Sequence, residues 1–207
     1  MTRDASFIRF SGFCGIFSPI IALAGIGIAI ASYPEFSWTE NALSDLGVID
    51  GLTALAFNYG LIGTGLLAFI FALGMFKNQK GAAGKAGAAL LASSTLSLMA
   101  IGIFPENIKP IHYYASVAFF TLFPLALMTL CASFMHNAEI RTGLFTLFVA
   151  VYAVSVWIIH WTVGFGSGVA IPEALSSAAA ALWMVPFAYR MAFTHPRLDQ
   201  GAFSRMS

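Results

Sequence analysis

The sequence predicts an all-α membrane protein, a polytopic bundle of six transmembrane helices with the N- and C-termini in the cytoplasm. Two observations on composition and one on pattern support this prediction. Hydrophobic residues make up 59% of the 207 residues, only 9% are charged, and the apolar residues are gathered into six long runs. Because soluble domains carry roughly 25% charged residues, the composition argues against a water-soluble fold.

The six runs each have the length of a membrane span, which is about 20 mainly apolar residues. They are residues 10–32, 54–76, 86–104, 112–134, 142–161 and 171–191. The first run is long enough to span, and no small-residue cleavage pattern follows a short apolar core, so we interpret it as a helix and not as a signal peptide. The polar intervals are too short to fold alone. Residues 1–207 are therefore expected to form a single integral membrane domain.

The basic residues give the bundle an orientation. Nine of the ten fall on one side of the predicted spans: Arg3, Arg9, Lys77, Lys80, Lys85, Arg141, Arg190, Arg197 and Arg205. Only Lys109 falls on the other side, which holds six of the nine acidic residues: Glu35, Glu40, Asp45, Asp50, Glu106 and Glu173. Since cytoplasmic loops are enriched in Lys and Arg, the first side is predicted to be cytoplasmic.

The composition also indicates which partners the protein is expected to have. A net charge of +1 without a basic stripe argues against nucleic acid, which needs clustered cations to neutralise its phosphates. We expect a multi-pass protein of the cell membrane (inner or plasma) that contacts membrane lipids. Small residues such as Gly25, Gly60 and Gly65 favour close helix packing, either within the bundle or with other membrane subunits or a second copy.

The longest connection, on the predicted outer side, contains signals for a short amphipathic helix. Ser37 and Glu40 match the capping-box pattern, and Gly47 is placed as a helix terminator. These signals predict a helix over about residues 38–46. On such a helix Asn41 and Asp45 lie one turn apart and share a face.

Polar side chains are predicted to gather around this loop at the outer ends of the spans. The candidate cluster contains Asn41, Ser44, Asp45, Asn58, His112, His160 and Glu173. Within it His112, His160, Asp45 and Glu173 are candidate ligands for a divalent metal, zinc or iron, because imidazole and carboxylate suit both ions. No cofactor other than this candidate metal is predicted.

The same residues also have a purely structural interpretation, which is the alternative to the metal site. Asn41 and Asp45 are residue types that satisfy backbone groups near turns, and Glu173 lies in the first turn of a helix, where the macrodipole favours a carboxylate. Asn58 lies inside a span, so it needs a partner, which is either Asp45 or a backbone carbonyl. The two histidines lack the spacing of known zinc motifs, and helix-end histidines are common at membrane interfaces.

Three strings and one histidine carry a resemblance to a known family. They are NALSDLG from Asn41, FNYGLIGTG from Phe57, GIFPE from Gly102, and His112 after a short gap. Together they resemble the bacterial and archaeal six-helix membrane family of domain of unknown function 998, over about Asn41 to Glu173. The resemblance implies six helices and an outer-face motif without an established activity. In that family the acidic residue that opens the sixth helix is usually followed by arginine, whereas Ala174 follows it here.

Three functions remain open from the sequence. The first is a non-catalytic, lipid-associated or complex-stabilising protein, which fits the absence of charged residues from the middle of every span. The second is a metal-dependent hydrolase acting on a lipid at the outer leaflet, with a free carboxylate as general base. Secondary transport is the third, and it is disfavoured because neither internal repeats nor charges in mid-membrane are visible. The family resemblance does not choose among them, since fold analogy sets no chemistry.

Overall fold

A computed structural model describes residues 3–194 and contains six long α-helices. They are α1 (Arg3–Ala31), α2 (Leu52–Asn78), α3 (Gly81–Ile103), α4 (Ile111–His136), α5 (Ile140–Thr162) and α6 (Ala170–Phe193). All six are long and apolar enough to cross a membrane, and the described residues contain no strand. The predicted all-α class and the six spans are confirmed. Arg197 and Arg205, which contributed to the predicted orientation, lie outside the described residues.

The helices pack in chain order, and α6 returns to α1 to close the bundle. The contact between α5 and α6 is less extensive than that of the other neighbouring pairs. In the middle of the bundle the core is centred on Trp183, Phe71 and Leu127, all fully buried. The indole Nε1 of Trp183 donates to Thr146 Oγ1 at 3.1 Å, so its polar atom is satisfied within the membrane core.

Small residues permit a close helix contact between α1 and α2. A Cβ on Gly25 would lie 2.8 Å from the Ala56 carbonyl oxygen and 2.9 Å from Gly60 Cα. Both neighbours are backbone atoms, which cannot move without shifting a helix. Gly27, two residues further along α1, has open space where its Cβ would be. The first glycine is thus required by packing and the second is not.

The loop between α1 and α2, residues 32–51, is called the outer loop below. It covers one end of the bundle, which we call the outer end. It contains a short helix, but this is a 3-10 helix over Leu43–Val48 and not the helix predicted over residues 38–46. Residues 38–40 form a turn instead. Leu43 and Leu46 are buried against Phe57 and Phe119, so the loop closes a second, outer core.

The Gly25–Gly60 contact generates a test of the α1–α2 packing. Gly25→Ala should lower the free energy of unfolding by about 1–3 kcal/mol, the usual cost of overpacking. Gly27→Ala is the matched control, because the change in helix propensity is the same and its methyl group meets nothing within 4 Å. Thermal unfolding of both variants in detergent measures the difference. Equal shifts of the two melting temperatures would contradict the packing described above.

Candidate functional site

Asn41 and Asp45 are brought together as predicted, although not on an α-helix. Asn41 Nδ2 donates to Asp45 Oδ2 at 2.9 Å, and the backbone N–H of Ala42 donates to the same oxygen at 2.9 Å. Asn41 Oδ1 accepts from the backbone N–H of Ser37 at 2.9 Å. These side chains therefore satisfy loop N–H groups directly, which explains why the chain turns at Ser37 and begins its short helix only after Ala42.

Glu173 joins the sixth helix to this loop. Its Oε2 accepts a hydrogen bond of 2.6 Å from the backbone N–H of Leu43, across 130 positions of sequence. The loop before α6 also runs beside the outer loop, with the N–H of Gly168 donating to Thr39 O and that of Ala170 donating to Asn41 O, both at 2.9 Å. The outer loop is thus held on the start of α6 and the segment before it by these two backbone hydrogen bonds and by two that involve side chains, Leu43 N–H to Glu173 and the longer Ser167 Oγ to Thr39 O at 3.5 Å.

Asn58 holds the far end of the 3-10 helix. Its Nδ2 donates to the Gly47 carbonyl at 2.8 Å, so the partner is a backbone carbonyl and not Asp45. A Cβ on Gly47 would lie 2.6 Å from Asn58 Oδ1, and glycine is therefore needed for this approach. Oδ1 of Asn58 is buried without a hydrogen-bond partner in the part of the chain that the structure describes.

Ser44 and Glu106 form a further contact, between the outer loop and the turn after α3. Ser44 Oγ donates to Glu106 Oε2 at 3.0 Å. The pKa of the Glu106 carboxyl is raised above its ordinary value of 4.5, first because burial penalises the charged form and then because the Asp45 carboxylate lies nearby. The hydrogen bond from Ser44 and the proximity of His112 act in the opposite direction on this pKa.

His112 opens α4 beneath this pair and is 6% exposed. Its Nδ1 lies 2.7 Å from the carbonyl oxygen of Phe104. Because a carbonyl oxygen can only accept, Nδ1 carries the proton, and in the neutral ring Nε2 is an acceptor. Within residues 3–194 no hydrogen-bond partner reaches Nε2.

His160 lies in different surroundings. It is 7% exposed, its Nδ1 has no partner among the described residues, and rings of Trp157, Trp161 and Phe165 surround it at centroid distances of 6.3, 4.8 and 6.1 Å. Among residues 3–194 no group of three or more His, Cys, Asp and Glu side chains has the arrangement needed to hold a metal. The metal site suggested by the sequence stays a prediction.

A groove with a cavity volume of about 1170 Å³ runs between α4 and α5 and ends under the outer loop. Its outer end is polar, and that polar end is lined by Ser44, Glu106, Lys109, His112 and Glu173. The rest is lined mainly by apolar side chains: Val117, Phe120, Leu125, Met128, Val154 and Ile158. Several of these are exposed to the side, Ile158 at 56%, so the groove opens laterally.

The groove brings together some of the predicted cluster residues, which are far apart in the sequence. Of the seven predicted cluster residues, Ser44, His112 and Glu173 line it. Asn41, Asp45 and Asn58 support the loop above it, and His160 lies among the aromatic rings of α5. The predicted set omitted Glu106 and Lys109. The GIFPE string, which ends in Glu106, was the available signal for the first.

A family model described as a protein of unknown function (DUF998) matches residues 16–190, which includes all seven predicted cluster residues and the whole groove. No curated protein matches the chain, and no solved structure matches it.

The raised pKa of Glu106 generates a pH test. A carboxyl with a raised pKa in the folded state stabilises the fold below 4.5 and loses that contribution as pH rises through the folded-state pKa. Glu106→Gln should therefore reduce the fall in thermal stability as pH rises above 4.5, since the amide cannot ionise. Melting curves from pH 4 upward measure it, with Glu35→Gln as the control because Glu35 is exposed. An unchanged pH profile in Glu106→Gln would contradict this assignment.

Proposed function

Because the chain belongs to the DUF998 family of multi-pass membrane proteins, whose description assigns no activity, we propose from its own geometry that it binds a membrane lipid without chemically changing it. The observation that carries the proposal is the α4–α5 groove, which is apolar along its length and polar at its outer end. A membrane lipid has the same division into an apolar chain and a polar head group.

The dimensions of the groove favour an acyl chain. Its lining on α4 extends from His112 to Met128, which at about 1.5 Å per residue is about 24 Å. One leaflet of the hydrocarbon core is about 15 Å thick, half of the roughly 30 Å bilayer core, so the groove is long enough for an acyl chain that crosses one leaflet. The volume of about 1170 Å³ exceeds the range of roughly 300–1,000 Å³ typical of small-molecule pockets. A chain can enter sideways because Leu125 and Ile158 are exposed on the side of the bundle.

The polar contacts favour binding over catalysis. Glu173 already accepts from Leu43, and Asp45 from Asn41 and Ala42, so these carboxylates serve the loop that ends the groove. Given the predicted orientation, the bound lipid belongs to the outer leaflet. Stabilisation of a larger membrane complex, or of a pair of chains, through such a lipid is part of the same proposal.

A metal-dependent hydrolase is the alternative, and one observation favours it. Two buried imidazoles keep a nitrogen without a hydrogen-bond partner in residues 3–194, Nε2 of His112 and Nδ1 of His160. The link from His112 Nδ1 to a backbone carbonyl is typical of histidines that ligate a metal through the other nitrogen. To hold zinc or iron they and Asp45 or Glu173 would have to come closer together than they are in residues 3–194, and the metal would then activate a water molecule toward a lipid ester.

Filling the groove tests the proposed lipid binding. Ser116 lines the groove, and Ser116→Phe should lower the lipid that co-purifies with the protein by at least about tenfold, equivalent to about 1.4 kcal/mol of binding free energy. Ser93→Phe on α3 is the matched control, because Ser93 is exposed and its hydroxyl bonds only to its own helix. Native mass spectrometry measures the bound lipid. Equal retention by both variants would contradict lipid binding in this groove.

Metal analysis distinguishes the hydrolase hypothesis from the lipid-binding proposal. If the hydrolase hypothesis holds, protein dialysed against zinc or iron retains one metal per chain, and both His112→Ala and His160→Ala lose it. If the lipid-binding proposal holds, the wild-type protein retains no stoichiometric metal. Absence of metal from the wild type would exclude the hydrolase hypothesis.

A further inference from the structure

The polar end of the groove offers several hydrogen-bond acceptors to a bound head group, beside two donors, the Lys109 ammonium and the Trp157 Nε1, which has no partner among residues 3–194. The carboxyl groups of Glu106 and Glu173 line it, and in the ionised form each only accepts. His112 lines it as well, is 6% exposed, and its unpartnered Nε2 is an acceptor because Nδ1 donates to Phe104. A head group that fits this end must therefore supply several donors.

The lack of a cation beside these carboxyl groups restricts which donor groups of a lipid fit the site. Neither Glu106 nor Glu173 has a Lys or Arg within ion-pairing distance among residues 3–194. Both carboxyl groups lie at the end of an apolar groove without a cation, where ionisation is costly, so a positively charged ligand would favour their ionised form. A primary ammonium supplies one positive charge and three N–H donors, whereas a quaternary ammonium supplies the charge without any N–H donor.

Two further features complete the environment of a zwitterionic head group. Tyr113, Trp157 and Trp161 line the same groove, and aromatic faces attract cations. Lys109 lies at the outer rim, exposed and without a carboxylate within ion-pairing distance in the described chain. A Lys beside an acceptor-rich end matches a phosphate that is covalently linked to an ammonium.

We propose that the lipid carries a phosphate and a primary ammonium, that is, a phosphoethanolamine type of head group, with the ammonium held among Glu106, Glu173 and His112. This inference rests on the proposed lipid binding and specifies its ligand class. The phosphate lies toward Lys109, and the acyl chain follows the groove between α4 and α5.

Competition among lipids with identical acyl chains tests the head group. The purified full-length chain is offered phosphatidylethanolamine, phosphatidylcholine and phosphatidylglycerol, and binding is measured by native mass spectrometry. Phosphatidylethanolamine should bind at least about tenfold more tightly than either of the others, because charge-assisted hydrogen bonds are roughly twice as strong as neutral ones and a tenfold ratio is about 1.4 kcal/mol.

Isosteric variants test the two carboxylates. In Glu106→Gln and Glu173→Gln the amide oxygen can still accept from Ser44 and Leu43, so the loop contacts persist while the charge is removed. Each variant should lose at least about threefold of the preference for phosphatidylethanolamine over phosphatidylcholine, a modest fraction of one charge-assisted bond. Glu35→Gln, at an exposed position outside the groove, should keep the full preference. Melting curves show that each variant is folded.

The outcomes separate this inference from the proposed function. Equal binding of all three lipids that Ser116→Phe abolishes would overturn the head-group assignment and leave lipid binding intact. No lipid binding by the wild type would overturn both. Preference for phosphatidylglycerol, or an undiminished ethanolamine preference in both Gln variants, would overturn the assignment. So would soluble phosphoethanolamine binding as tightly as the lipid, since that indicates a site for the free head group.

Discussion

The hydrogen bond from the Leu43 backbone N–H to Glu173 Oε2 fixes the geometry on which the outer end of the protein depends. A loop lying on a membrane bundle must satisfy its backbone groups within the protein wherever water is excluded, because each unsatisfied group costs several kcal/mol. Glu173 meets that need for the start of the 3-10 helix, and Asp45 does so for Ala42. With the loop fixed, Ser44 reaches Glu106 and the groove acquires a polar end.

The same carboxylates connect structure to the proposed ligand. Glu173 uses one oxygen for Leu43 while its side chain also lines the groove, and Glu106 combines a contact to Ser44 with a raised pKa. Residues that fix the loop therefore also set the charge of the site. A bound cation would offset the cost of keeping these groups ionised, so lipid binding and the stability of the outer end are expected to be coupled.

The sequence predicts the parts of this structure that depend on local or averaged signals. Six spans follow from hydropathy, which the membrane enforces strongly, and the Asn41–Asp45 contact follows from a spacing of four residues. The bounds of the short helix were wrong because the side chains of Asn41 and Asp45 bind loop N–H groups and displace the capping box expected at Ser37. The Glu173–Leu43 bond was not predictable, since it joins positions 130 residues apart.

The groove itself depends on how α4 and α5 are placed side by side, which no spacing within one helix encodes. The most direct test is an experimental structure of the full-length protein in bilayer discs containing phosphatidylethanolamine. We predict density for an acyl chain along α4 and α5, with its head group beside Glu106 and Glu173. A groove closed by contact between the two helices, or filled by a side chain and not by lipid, would contradict the account.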